Sequence, residues 1–200
     1  MQNFTIHKFT VGWLETNCYI LTLKNITTVI DPGADAKTII SYLEANKLIP
    51  DQILLTHAHI DHISAVKEVA DKYGTSVYLN ENDEELYNSP ANSIEPIFPS
   101  LSKRIKTTSK FNAAGIEAIF TPGHTKGGTC FYAKEAKLLI SGDTIFNESI
   151  GRTDLPGGNH NQIIKSINDK ILTLPPETII YPGHGPETSV DHESKYNPYF

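Results

Sequence analysis

Residues 53–62 read ILLTHAHIDH: three apolar residues and a threonine, then His57, His59, Asp61 and His62 within six positions. The apolar triplet has the composition of a short buried strand. Three imidazoles and a carboxylate placed directly behind it would crowd, and would repel one another when protonated, with no benefit to folding. They are the residue types that hold a metal ion. Spacing divides them. His57 and His59, two apart in an extended segment, face one way, whereas Asp61 and His62 stand where the next helix begins and address a neighbouring point. Neither pair has the i, i+4 spacing of the H-E-x-x-H zinc proteases.

The same plan, an apolar strand, a small-residue turn and then a ligand-type side chain, recurs downstream. IFTPGHT carries His124, LLISGDT carries Asp143 and IIYPGHG carries His184. Open α/β sheets gather functional groups in loops at strand ends, so four such loops predict convergence. Seven candidate ligands exceed the roughly three protein ligands of a single catalytic zinc. Two ions with four protein ligands each, one carboxylate being shared, use all seven. The expected division is His57, His59 and His124 on one ion, Asp61, His62 and His184 on the other, and Asp143 between them. Asp31, in Ile-Asp-Pro-Gly, reads equally as a turn former and as a partner orienting a metal-bound imidazole. His7, His160 and His192 have no comparable partners and read as surface or loop residues. Cys18 and Cys130 lie in apolar runs and read as core.

Around these loops, strands are expected at 4–11, 17–23, 27–30, 53–55, 76–79, 116–120, 129–133 and 138–141. Helices are expected at 35–47 with Asp35 as N-cap, at 62–73 closed by Gly74, and at 161–172. A proline-bearing stretch, 88–110, reads as irregular, and 179–181 as the last strand before a polar tail. Strands and helices alternate in two rounds with strands apolar on both faces, which predicts layered α/β architecture with mixed sheets.

Length and composition bound the function. Two hundred residues, 39% hydrophobic and 20% charged, with no linker, read as one domain over 1–200. A formal charge of −6 leaves no global basic field for nucleic acid. Apolar runs fall far short of the roughly 20 residues that span a bilayer. The start MQNFTIHKFT has no signal-peptide pattern, and two cysteines make no disulfide framework, so a cytoplasmic location is expected.

THAHIDH, with the later PGHT, GDT and PGHG in that order, resembles the T-H-x-H-x-D-H pattern of the metallo-β-lactamase superfamily and of its glyoxalase II-like hydrolases. The resemblance runs over essentially the whole chain. Asn17-Cys18-Tyr19, Asp31-Pro32-Gly33, the segment from Gly151 to Gly158 and Asn197-Pro198-Tyr199 look like the short, single-domain glyoxalase II-like branch. The resemblance implies a four-layer αββα sandwich with two mixed sheets and a dinuclear site at one edge. It implies two divalent ions per chain, with zinc favoured and iron or manganese compatible with the ligand types. It also implies hydrolysis of a small thioester, S-acyl-glutathione or a similar thiol adduct, by a monomer or small homo-oligomer. One departure bears on the substrate. The chain ends soon after PGHG, without the helical addition that supplies much of the glutathione site in family members. Aspartate at 143 in place of cysteine, together with Asp61, argues against a true β-lactamase.

The chemistry expected of such a site is attack of an activated water on the acyl carbon, with Asp61 holding the water's proton. No serine or cysteine nucleophile is required, and no Gly-x-Ser-x-Gly elbow occurs. Arg152 and Lys126 are candidates to pair with a substrate carboxylate. The alternative enzyme class is a persulfide dioxygenase with a single iron on His59, His124 and Asp143. A non-catalytic metal module is disfavoured by the absence of cysteine from the ligand set.

Overall fold

The computed structural model describes residues 4–101 and 103–200. Residues 1–3, part of the stretch read for a signal-peptide pattern, and residue 102, within the expected irregular stretch, lie outside the described residues. Two compact units divide the chain, the first ending at Ala114 and the second running from Gly115 to Phe200.

In the first unit, β1 (Phe4–Val11), β2 (Thr16–Leu23) and β3 (Ile26–Ile30) form an antiparallel meander. Lys24 and Asn25 make the two-residue β2–β3 turn at φ 51° and 64°, the left-handed pair that matches strand twist. After α1 (Ala36–Ala45) the sheet continues in parallel through β4 (Gln52–Leu54), β5 (Ser76–Tyr78) and β6 (Thr107–Thr108), in the order β1-β2-β3-β4-β5-β6. Between β4 and β5 lie α2 (Ile60–Ile63) and α3 (Val66–Tyr73), and α4 (Glu84–Asn88) follows β5. Ile39 and Leu43 of α1 join Val66, Val69 and Ala70 of α3 and Val29, Ile53 and Val77 of the sheet in one apolar core. Because β3, β4 and β5 run parallel, the loops after them leave from one sheet edge.

The second unit has β7 (Glu117–Phe120), β8 (Thr129–Ala133) and β9 (Leu138–Gly142) as an antiparallel run. A small hairpin, β10 (Ile145–Phe146) and β11 (Ser149–Ile150), comes next. Then α5 (His160–Ser166) passes into a π-helical turn, Ile167–Ile171. β12 (Ile179–Pro182) pairs parallel with β9, and β13 (Thr188–Ser189) with α6 (Val190–Tyr196) ends the unit. The sheet order is β13-β12-β9-β8-β7, so β7, β9 and β12 point the same way and deliver their following loops to one edge.

Four expectations are corrected. The helix expected at 62–73 is two helices, because Ala65 N–H donates to Pro32 O at 3.0 Å instead of continuing the helical ladder. Asp35 stands at the N-cap of α1 but takes φ 52°, and its carboxylate accepts from Gly12 N–H at 2.9 Å rather than capping. The stretch expected to be irregular, 88–110, opens on the last residue of α4 and contains β6, which pairs with β5. The polar tail after 181 contains a further strand and α6. There a fully buried Glu193 accepts from Glu148 N–H at 3.0 Å, from Thr188 Oγ1, and from Asn197 Nδ2 at 2.7 Å. Cys18 and Cys130 are fully buried free thiols, as expected of core residues; burial pushes the Cys130 thiol up to about 11. Among the described residues no helix is long and apolar enough to cross a membrane.

Candidate metal centre

In the first unit the ligand-type residues follow β3 and β4. Asp31 sits at φ 49° in the turn after β3. Its Oδ1 accepts from Thr56 N–H at 2.8 Å, and its Oδ2 accepts from the Thr56 hydroxyl at 2.6 Å. That same Oδ2 lies 2.9 Å from His62 Nδ1. The Thr56 hydroxyl, its one proton given to Asp31, accepts from His57 Nδ1 at 3.0 Å. Acceptors on Nδ1 place the proton there in both rings and leave Nε2 as the lone-pair nitrogen, on the far side of the ring from those acceptors. The ring centroids of His57 lie 4.9 Å from those of His59 and 4.1 Å from those of His62. His57 and His62 are buried, and His59, at the N-cap of α2, is half-buried. Asp61 Oδ2 receives the buried Thr16 hydroxyl at 2.9 Å and stands 3.6 Å from His62 Nε2.

In the second unit, His124 follows β7, Asp143 follows β9 and His184 follows β12. His124 Nδ1 donates to the Arg152 carbonyl at 2.7 Å, which again leaves Nε2 as the lone-pair nitrogen. Asp143 Oδ2 lies 3.5 Å from His124 Nε2 and 3.6 Å from His184 Nε2. Gly151 makes this packing possible, since a Cβ there would stand 1.8 Å from Asp143 O and 3.2 Å from His124 Nδ1. The Arg152 guanidinium is exposed and held by Asp154 through Nε–Oδ1 and Nη2–Oδ2, both 2.7 Å. Those bonds hold the Asp154 carboxyl down at about 2. Lys126 is exposed in the loop after His124.

These residues fit divalent ions. Separations of 3.5–3.6 Å between imidazole nitrogen and carboxylate oxygen are at or past the limit of a hydrogen bond. Two ligand atoms on one tetrahedral ion, each about 2.0–2.1 Å from it, lie about 3.4 Å apart. The donors are imidazoles and carboxylates only, and three of the imidazoles carry the outer hydrogen bond that orients a ligand histidine. The remaining histidines do other things. His7 stacks on Tyr42 with centroids 4.2 Å apart, His192 pairs with Glu148 at 3.0 Å, and His160 is exposed at the start of α5.

Sequence reasoning missed Thr16, the relay through Thr56 and the Arg152 carbonyl. Thr56 is visible as the first letter of THAHIDH, but its role is not. A main-chain carbonyl has no residue-type signature.

A family model described as the metallo-β-lactamase superfamily matches residues 11–184. The chain is 40% identical to a probable metallo-hydrolase, YqgX, of Bacillus subtilis, over 94% of each protein. It is 33% identical to the hydroxyacylglutathione hydrolase GloC of Haemophilus influenzae, over 86% of this chain and 85% of that one. Among solved structures it is similar to the BLEG-1 B3 metallo-β-lactamase, with a TM-score of 0.90 and 35% identity over 98% of this chain and 99% of the other. TTHA1623, described in a di-iron-bound form, gives a TM-score of 0.88 and 32% identity over 97% and 100%. The fold expected from the sequence is thereby shown: two large mixed sheets of the metallo-β-lactamase fold.

Proposed function

The chain belongs to the metallo-β-lactamase superfamily as a metallo-hydrolase, and from that premise we propose that it hydrolyses a small thioester, an S-acyl-glutathione or a related thiol adduct, with two divalent metal ions. His57, His59 and His124 would hold one ion, Asp61, His62 and His184 the other, and Asp143 both, residues 1–200 acting as one catalytic domain. The observation that carries the reading is Asp143, whose single Oδ2 stands 3.5 and 3.6 Å from two imidazole nitrogens. Zinc is the first choice for this donor set. Iron comes next, supported by the solved relative described as di-iron-bound, and manganese also suits it. The thioester is supported by the relative described as a hydroxyacylglutathione hydrolase.

When bound, the ions would supply an activated water near neutral pH and a Lewis acid for the developing oxyanion. The chain's own residues set the geometry. Thr16 fixes the plane of the Asp61 carboxylate, and so the direction from which Asp61 takes and holds the attacking water's proton. Asp31, Thr56 and the Arg152 carbonyl hold His62, His57 and His124 in the tautomer that presents Nε2. Arg152 and Lys126 are the proposed contacts for a substrate carboxylate, Arg152 exchanging Asp154 for it.

Metal analysis of freshly purified protein, paired with a thioester panel, tests the reading. The expected result is about two metals per chain and turnover of S-lactoylglutathione, abolished in His59→Ala. Full activity in that variant would sink the ligand assignment. One iron per chain with oxygen uptake on a glutathione persulfide would make the protein a dioxygenase instead. A chromogenic cephalosporin belongs in the panel, since one solved neighbour is described as a B3 metallo-β-lactamase; its hydrolysis without thioester turnover would move the substrate class to lactams.

A further inference from the structure

Ala58 stands between His57 and His59 and is fully buried. β4 ends at Leu54 and α2 begins at Ile60, so Ala58 belongs to neither, yet its buried main-chain N–H and C=O, one in each of the two peptide groups that join His57 to His59, both need partners. Side chains far along the sequence supply them. Ala58 N–H donates to Asp83 Oδ2 at 3.1 Å, and Asn92 Nδ2 donates to Ala58 O at 2.7 Å. Both partners are themselves buried, Asp83 at 1% exposure and Asn92 at 7%. Asp83 occupies the N-cap position of α4, but its carboxylate makes no cap bond. Asn92 is tied down separately, its N–H donating to Ser89 O at 3.2 Å and its Nδ2 also to Leu86 O at 3.2 Å.

We propose that Asp83 and Asn92 are positioning residues that clamp the main chain at Ala58 from both sides, fixing the extended path that presents His57 and His59 as a pair to one metal ion. The inference rests on the metal reading above. Thr56 orients the ring of His57, but a ring hydrogen bond cannot fix the main chain between two ligands. Sites of this kind hold their geometry to about 0.5 Å and 10–20°, and a two-sided grip on the intervening main chain supplies that constraint. The sequence signal is weak, since Asp83 lies in a run of acidic and amide residues, 80–85, and Asn92 in the proline-bearing stretch.

The test uses apoprotein prepared with a chelator and titrated with zinc against a chromophoric competitor, with the absorption spectrum of the cobalt-substituted protein as a reporter of coordination. Asn92→Ala and Asp83→Ala are expected to weaken zinc binding about 10- to 100-fold and to shift the cobalt bands. Asp83→Asn keeps an oxygen that can accept from Ala58 N–H, and is expected to restore near-wild-type affinity. A lower apoprotein Tm in the alanine variants with unchanged zinc affinity would mean a merely structural role and would overturn the clamp. If Asn92→Ala does not fold, the comparison of Asp83→Ala with Asp83→Asn decides. Amide exchange at Ala58 in the wild-type apoprotein is a further readout: slow exchange is expected, and exchange at the rate of an open loop overturns the proposal. Wild-type protein that takes up no zinc would instead fail the metal reading, leaving Ala58 exchange to report on the clamp alone.

Discussion

Asp31 receives three groups on two oxygens: Thr56 N–H at 2.8 Å, the Thr56 hydroxyl at 2.6 Å and His62 Nδ1 at 2.9 Å. In Asp31→Asn one oxygen becomes an NH2 donor, so the amide cannot accept from all three. His62 is then released from its tautomer, or the Thr56 relay to His57 breaks. Metal affinity is expected to fall about 10- to 100-fold, and stability by about 1–3 kcal/mol. Competition titration and urea unfolding of the apoprotein measure the two effects separately, and unchanged affinity would remove Asp31 from the site. In the sequence its roles as turn former and histidine partner were evenly balanced. The structure assigns both, because the turn uses the backbone at φ 49° and the hydrogen bonds use the carboxylate. Arg152 divides in the same way, its carbonyl orienting His124 while its guanidinium pairs with Asp154.

The break between α2 and α3 is set by a neighbour rather than by local propensity. Ile63, Val66 and Ala70 keep one buried stripe across it, so apolar periodicity runs on as though a single helix were present. What interrupts the helix is the Pro32-Gly33 turn. Pro32 O takes the Ala65 N–H, and a Cβ on Gly33 would stand 1.7 Å from Asp61 O and 2.8 Å from its carbonyl carbon. Both of those atoms are backbone and have little room to shift. Gly33→Ala is therefore expected to destabilise by about 3 kcal/mol or more and to displace Asp61. A chemical-denaturation midpoint close to wild type would contradict that close approach. The element ends that sequence patterning reaches best are those built from local chemistry, such as Gly74 closing α3 at φ 67°. It misses α6, where polar Glu193 is buried by partners 5 and 45 residues away.

Across the whole chain, each unit has its own mixed sheet, and each sheet sends the loops that carry the proposed ligands from strands that run the same way. Metal bound only by folded protein stabilises it by about 2.7 kcal/mol at a hundredfold excess over Kd and about 4.1 kcal/mol at a thousandfold excess. For a chain of 200 residues, each kcal/mol moves Tm by about 2–4 °C. A strong chelator is therefore expected to lower Tm by about 5–15 °C, and readdition of zinc to restore it. Scanning calorimetry of metal-loaded and stripped protein checks this, and identical transitions would mean that the proposed ligands hold no ion in the folded state.

By itself the sequence determined which residue types could act as ligands, the strands they follow and the α/β class. Those are local properties, carried by residue identity and by periodicities of two and 3.6. Only the tertiary structure decided how the candidate ligands are held: the Asp31–His62 hydrogen bond across 31 positions, the main chain at Ala58 gripped from residues 83 and 92, and the carbonyl of Arg152 behind His124. Backbone groups look alike at every residue and an asparagine in a loop has many uses, so such partnerships exist only once folding has brought distant segments within hydrogen-bonding distance.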